Sequence, residues 1–126
     1  MIYGIGIDLV EIKRIQGMSN LDQFAKKILS PLEGEMLKAI SSEAQVAFLA
    51  KQFAAKEATV KALGTGFKSN VYPKDISVLR KVDGGPELKF SESLERMVND
   101  LGIYSWHVSL ADEITHAIAI VVLEKK

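Results

Sequence analysis

Between residues 2 and 10 apolar positions alternate. Ile5, Ile7 and Leu9 point one way and Gly4, Gly6 and Asp8 the other, the period of two that marks a strand. Two glycines beside one carboxylate leave the second face bare. Either another backbone packs closely there, with Asp8 capping a helix from near Glu11, or Asp8 looks into a space that a ligand fills. The period then lengthens. Ile12 and Ile15 form one short helical ridge; Leu21, Phe24, Ile28 and Leu29 form a second that ends near Lys26 and Lys27. Ser30-Pro31 with Glu33 supplies an N-cap, a first-turn proline and an acid at N3, so a further helix starts there and stops around Ser41-Ser42.

From near Ala44 the chain is rich in Ala, Leu, Lys and Glu and meets no breaker before Gly64, which predicts one long helix. After Gly64-Thr65-Gly66, residues 75–81 and 87–90 read as strands joined through the hairpin loop Val82-Asp83-Gly84-Gly85-Pro86. Ser91 caps a helix with Leu94, Met97, Val98 and Leu101 inward and Gly102 at its end. Trp106, Val108 and Leu110 alternate with His107 and Ser109 in a half-buried strand. Residues 117–123 are continuously apolar, as in a central strand, with Asp112 and Glu113 in the intervening turn. The predicted class is α+β: a mainly antiparallel sheet packed against a long central helix, in a single domain over residues 1–126.

The long helix carries one misplaced charge. At 3.6 residues per turn Val46, Leu49, Ala50, Phe53, Glu57, Val60 and Gly64 share a face, so Glu57 interrupts an apolar stripe. A carboxylate turned toward a core needs a partner. Lys61, four residues on, is one candidate; a metal ion is the other.

Composition narrows the setting. The chain has 126 residues, 48% of them hydrophobic, enough for one core, and its 16 basic residues balance its 16 acidic ones. No global field points to nucleic acid or a membrane surface, so a charged partner is met by a local patch. The absence of cysteine excludes disulfides and thiolate chemistry and suits a reducing compartment. Asp8 interrupts the only apolar run near the N-terminus, so neither a signal peptide nor a membrane span is expected, and the protein reads as soluble and cytoplasmic.

Three groups carry candidate chemistry: Asp8 on the first strand, Glu57 with Lys61 on the long helix, and His107 with Ser109 on a late strand. Two carboxylates from different elements with a lysine suit a magnesium-bound phosphate ester. Magnesium takes oxygen ligands, keeps several waters and shares one or two carboxylates with substrate phosphates, whose charge the lysine offsets. His107 and Ser109, on one strand face, are placed to donate to the same anion. Other chemistries fit less well. Ser109 lies in no nucleophile elbow, two histidines are too few for zinc, and Gly64-Thr65-Gly66 follows the negative end of a helix rather than preceding a positive one.

With those residues in view, Gly4-Ile5-Gly6-Ile7-Asp8-Leu9-Val10-Glu11-Ile12, the run from Phe53 to Gly66, and His107-Val108-Ser109-Leu110 resemble, in order, the motifs of the holo-acyl-carrier-protein synthase family. That family is the short, single-domain type of 4′-phosphopantetheinyl transferase, and the resemblance covers nearly the whole chain. It implies an enzyme of fatty acid biosynthesis that moves the 4′-phosphopantetheine arm from coenzyme A to a serine of apo-acyl carrier protein. Asp8 and Glu57 would hold a magnesium ion and form the catalytic set with Lys61, which contacts the phosphates. Gly64, Gly85, Pro86, His107 and Ser109 would lie along coenzyme A, and Arg14 and Lys27 would meet the acidic carrier protein. The family forms trimers with sites between neighbours. Three departures stand out: Gln52 where an arginine is usual, with Lys51 beside it; Ala111-Asp112 in place of a Ser/Thr-His pair; and no positive charge over residues 20–23. The competing reading is a non-catalytic module that binds a nucleotide or acidic protein through Arg14, Lys26, Lys27 and Lys61, with Asp8 and Glu57 in plain ion pairs.

Overall fold

The structure is a computed structural model that describes residues 1–68 and 70–126. In chain order the elements are β1 (Ile2–Glu11), α1 (Ile12–Gln16), α2 (Leu21–Ile28), α3 (Pro31–Lys38), α4 (Ser42–Leu63), a 3₁₀ turn (Pro73–Asp75), β2 (Ile76–Arg80), β3 (Pro86–Phe90), α5 (Glu92–Asp100), β4 (Ile103–Asp112) and β5 (His116–Lys125). The strands form two antiparallel sheets, β1-β5-β4 and the hairpin β2-β3.

Local signals explain most boundaries. Ser30 and Glu33 form a reciprocal capping box at the start of α3, and Ser41 and Ser91 accept from the third residue of α4 and α5. Gly64 ends α4 at φ +81°, where a side chain would be strained. Several limits shift from those the sequence predicts. The helix from Pro31 ends at Lys38, α4 begins at Ser42, and β4 extends from Ile103 to Asp112, leaving only residues 113–115 as its turn. Asp8 caps nothing: Glu11 precedes α1 and makes no side-chain cap. Leu101, expected inward, is the half-exposed C-cap of α5.

The sheet lies against α4 through a seam of very small residues. A Cβ on Gly4 would stand 2.0 Å from the carbonyl oxygen of Ala62, and one on Gly6 only 1.8 Å from that of Ala58, so β1 and α4 meet backbone to backbone. The bare strand face thus packs against a helix. Ala54, Ala58 and Ala62, spaced by four, are its buried counterpart.

Nor does α4 bury one stripe. Leu49, Ala50, Ala54, Ala55, Ala58, Val60, Ala62 and Leu63 are all buried, together with Gln52, Lys56 and Thr59. With β1 and β5 against it, β2 and β4 also in contact and α1 alongside, the helix is enclosed on most sides and a single-face reading fails. Glu57 is half-buried at the edge of this enclosure, which corrects its expected place in a core-facing stripe.

β5 is the central strand, as its apolar run predicts, and its two faces differ. Ala117, Ala119, Val121 and Leu123 are buried toward α4, while Ile118 and Ile120 face outward. The register places Ile5, Ile7 and Leu9 of β1 opposite Val122, Ile120 and Ile118, and these opposite His107, Ser109 and Ala111 of β4. Ile5, Ile7 and Leu9 are 57, 55 and 61% exposed, so the outer face of the sheet is a broad apolar surface.

Candidate active site

Close packing of β1 on α4 brings Asp8 to the last turns of the helix. Lys61 Nζ donates to Asp8 Oδ1 at 3.0 Å and to the Ile7 carbonyl oxygen at 3.1 Å. The Asp8 side chain is mostly covered, whereas half of Lys61 remains open to solvent. The pairing within α4, Glu57 with Lys61, does not form; the lysine turns to the strand instead. Among the described residues Glu57 has no ion-pair partner within 4.0 Å.

Electrostatics follow from that arrangement. Burial pushes the Glu57 carboxyl above its ordinary range, the negative charge of Asp8 pushes it further, and Lys61 opposes both. Two carboxylates that repel each other, one desolvated and one already paired, form a site that a cation would relieve. No cluster of three or more His, Cys, Asp or Glu able to hold a metal occurs among the described residues. Asp8 and Glu57 alone suit magnesium, which completes its shell with water and substrate oxygens, and they do not suit zinc.

The other predicted site residues lie elsewhere. Gly64, one turn past Lys61, stays on the same end of α4. His107 and Ser109 do not join Asp8: they sit on the outer face of the sheet, opposite the face against α4, so within this chain they and the two carboxylates do not face one anion. His107 Nε2 lies 2.6 Å from Glu124 Oε1 and 3.1 Å from Ser105 Oγ. Gly85 and Pro86 close the β2-β3 hairpin, and Pro86 borders two cavities. One, of about 260 Å³, is shared with Lys81, Glu87 and His107; the other, of about 190 Å³, with Lys51, Gln52 and Arg80. Arg14 and Lys27 are exposed on α1 and α2, and Lys27 borders an open hollow of about 420 Å³ with Met18, Gln23 and Phe24.

A second polar cluster escaped the sequence reading. Lys56, wholly buried, donates to Glu33 Oε1 at 2.7 Å, to the Pro73 carbonyl oxygen at 2.9 Å and to that of Ile76. Glu33 also accepts from the Ser30 and Val78 backbone and from Gln52, whose amide nitrogen reaches the Val78 carbonyl oxygen as well. Gln52 is therefore tied into the interior. At residue 52 the lining of the cavity of about 190 Å³ is an amide held in the Glu33 network, with Lys51, paired at 3.6 Å with Asp112, beside it. The available signal was spacing: Gln52 and Lys56 are four apart and so share one face of the helix. Glu124 and Ser105 carried no such signal, because strand pairing alone brings them to His107.

With this geometry established, similarity to known proteins is specific. The profile described as the 4′-phosphopantetheinyl transferase superfamily matches residues 4–121. A holo-[acyl-carrier-protein] synthase of Nitrosomonas eutropha is 42% identical over 127 residues, covering 99% of this chain and all of that one. The crystal structure of the holo-[acyl-carrier-protein] synthase of Neisseria meningitidis superposes with a TM-score of 0.92 at 38% identity, over 99% of this chain and 100% of the other. That of the Bacillus anthracis enzyme, in complex with CoA (3′,5′-ADP), does so at 0.85 and 37%, over 100% and 99%. Full-length likeness of this order, with a family match over residues 4–121, shows that the chain belongs to the 4′-phosphopantetheinyl transferase superfamily.

Proposed function

We propose that Asp8 and Glu57 hold a magnesium ion and, with Lys61, receive the pyrophosphate of coenzyme A for transfer of its 4′-phosphopantetheine arm to a serine of apo-acyl carrier protein. Adenosine 3′,5′-bisphosphate leaves. The observation that carries this reading is the state of Glu57: half-buried, unpaired among the described residues, and held toward its protonated form by burial and by Asp8. A structural carboxylate would have a partner. When bound, the ion neutralises charge on the pyrophosphate and on the departing phosphate. Lys61 supplies a mobile ammonium from the solvent side. It reaches the phosphates by exchanging its hydrogen bond to Asp8 for one to a phosphate oxygen.

The assembly belongs to the same reading. A sheet face carrying Ile5, Ile7, Leu9, Ile118 and Ile120 fits burial against further copies of the chain, and His107 and Ser109 lie on that face. In a homotrimer, the nucleotide end of one site, bordered by His107, Ser109, Gly85 and Pro86, comes from the neighbour of the protomer that supplies Asp8, Glu57, Lys61 and Gly64. Arg14 and Lys27, exposed on the early helices, are the cations offered to an acidic carrier protein. A cytoplasmic setting in fatty acid biosynthesis agrees with a chain without cysteine. No helix among the described residues is long and apolar enough to cross a membrane.

The test is intact-mass analysis of apo-acyl carrier protein incubated with this protein and coenzyme A. A mass gain of one phosphopantetheine that needs magnesium and disappears with chelator is expected. No gain under any metal condition defeats the enzyme reading, and a gain unaffected by chelator defeats the metal assignment.

A further inference from the structure

His107 is held by a contact that no motif contains. Its Nε2 lies 2.6 Å from Glu124 Oε1 on the adjacent strand β5, with Ser105 Oγ at 3.1 Å on its own strand. A carboxylate only accepts, so the ring proton at this contact sits on Nε2. A neutral ring then presents a bare, hydrogen-accepting Nδ1. That ring cannot donate to a phosphate.

We propose that Glu124 is a positioning residue for nucleotide binding: it engages the Nε2 proton of His107, so the ring must take up a second proton to offer a phosphate an N–H at Nδ1. The inference rests on the placement of His107 at the nucleotide end proposed above. It makes the anion contact a charged one, stronger than a neutral donor would give, and couples nucleotide binding to proton uptake. The ring also has one cation and one further carboxylate nearby. Its cavity of about 260 Å³ is also bordered by Lys81, Pro86 and Glu87 of the β2-β3 hairpin. The charged groups around the ring are therefore Glu124 from β5 and Lys81 and Glu87 from the hairpin. Toward β1 the register brings only Val122 and then Ile5.

The test is calorimetry of adenosine 3′,5′-bisphosphate binding to the magnesium-loaded protein at about pH 7.5, in buffers of different ionisation enthalpy. Protonation changes of the phosphates are common to all variants and cancel. The parent is expected to take up clearly more protons per site than Glu124→Gln. In that variant the carboxamide can donate to Nε2, which frees the neutral ring to offer Nδ1–H. Affinity in Glu124→Gln should fall about tenfold, the scale of losing the charge assistance of one hydrogen bond, and Glu124→Asp should restore part of both effects. KM for coenzyme A should rise in parallel while kcat stays within about twofold. Equal proton uptake in parent and Glu124→Gln overturns the inference and leaves the proposed function standing. Failure of the parent to bind the bisphosphate overturns both.

Discussion

Lys61 donates to Asp8, 53 positions away in sequence, rather than to Glu57 one turn earlier on its own helix. The choice follows from solvation. Asp8 is mostly covered and close to the lysine, whereas Glu57 lies where its charge is disfavoured by burial and by Asp8 itself. The site is thus an acid pair with one counter-charge, one short of balance.

Glu57→Gln should reduce transfer by about 10²-fold or more while leaving the fold intact, because an uncharged group suits that environment at least as well as a carboxylate. Thermal unfolding without magnesium should show a midpoint no lower than that of the parent. Near-parent turnover would remove Glu57 from the metal site.

The same residue sets a pH dependence. Its folded pKa lies above the ordinary value near 4.5, so the native state holds its proton longer than the unfolded chain does. Stability from this group is complete below that ordinary value and is lost as pH rises through the folded pKa, remaining lower above it. In metal-free protein, the melting temperature of the parent should therefore fall relative to Glu57→Gln as pH rises from about 4.5. Added magnesium should recover the difference only in the parent, and only once Glu57 is ionised.

Gly6→Ala should destabilise the protein by about 3 kcal/mol or more, since its Cβ would lie 1.8 Å from a backbone oxygen that cannot move without shifting α4. Chemical denaturation measures the loss. A substitution tolerated within 0.5 kcal/mol would mean that β1 and α4 are further apart than 1.8 Å implies.

Lys56→Met should cost about 3–5 kcal/mol, because it strands a charged Glu33 in the interior. Adding Glu33→Gln should return a large part of that loss in a double-variant cycle, as the remaining group is neutral and keeps its backbone donors. Strict additivity would contradict the buried pairing.

Ile120→Asp, on the outer sheet face, should give a folded protein of lower mass by sedimentation, with unchanged circular dichroism and lost transfer. Full activity in a monomeric variant would show that each protomer holds a complete site.

Much of this was legible in residue order. The α3 capping box, the length of α4 and its Gly64 stop, the β2-β3 hairpin, the central run of β5 and the family motifs all depend on interactions within a few positions, and sequence spacing reports those directly. It also singled out Asp8, Glu57 and Lys61, because glycines beside an acid and an acid among apolar residues are local anomalies.

Which charge pairs with which was decided by the tertiary structure alone. Lys61 lies one turn from Glu57 yet bonds Asp8; Lys56 is sealed inside against Glu33; and Glu124, in no motif, meets His107 across a strand pair. Ile5, Ile7 and Leu9 turned outward for the same reason: α4 could approach β1 only on the glycine side. Helical and strand periods state which side chains share a face, but whether that face is buried, and which opposite charge lies nearest once water is excluded, depends on elements distant in the chain.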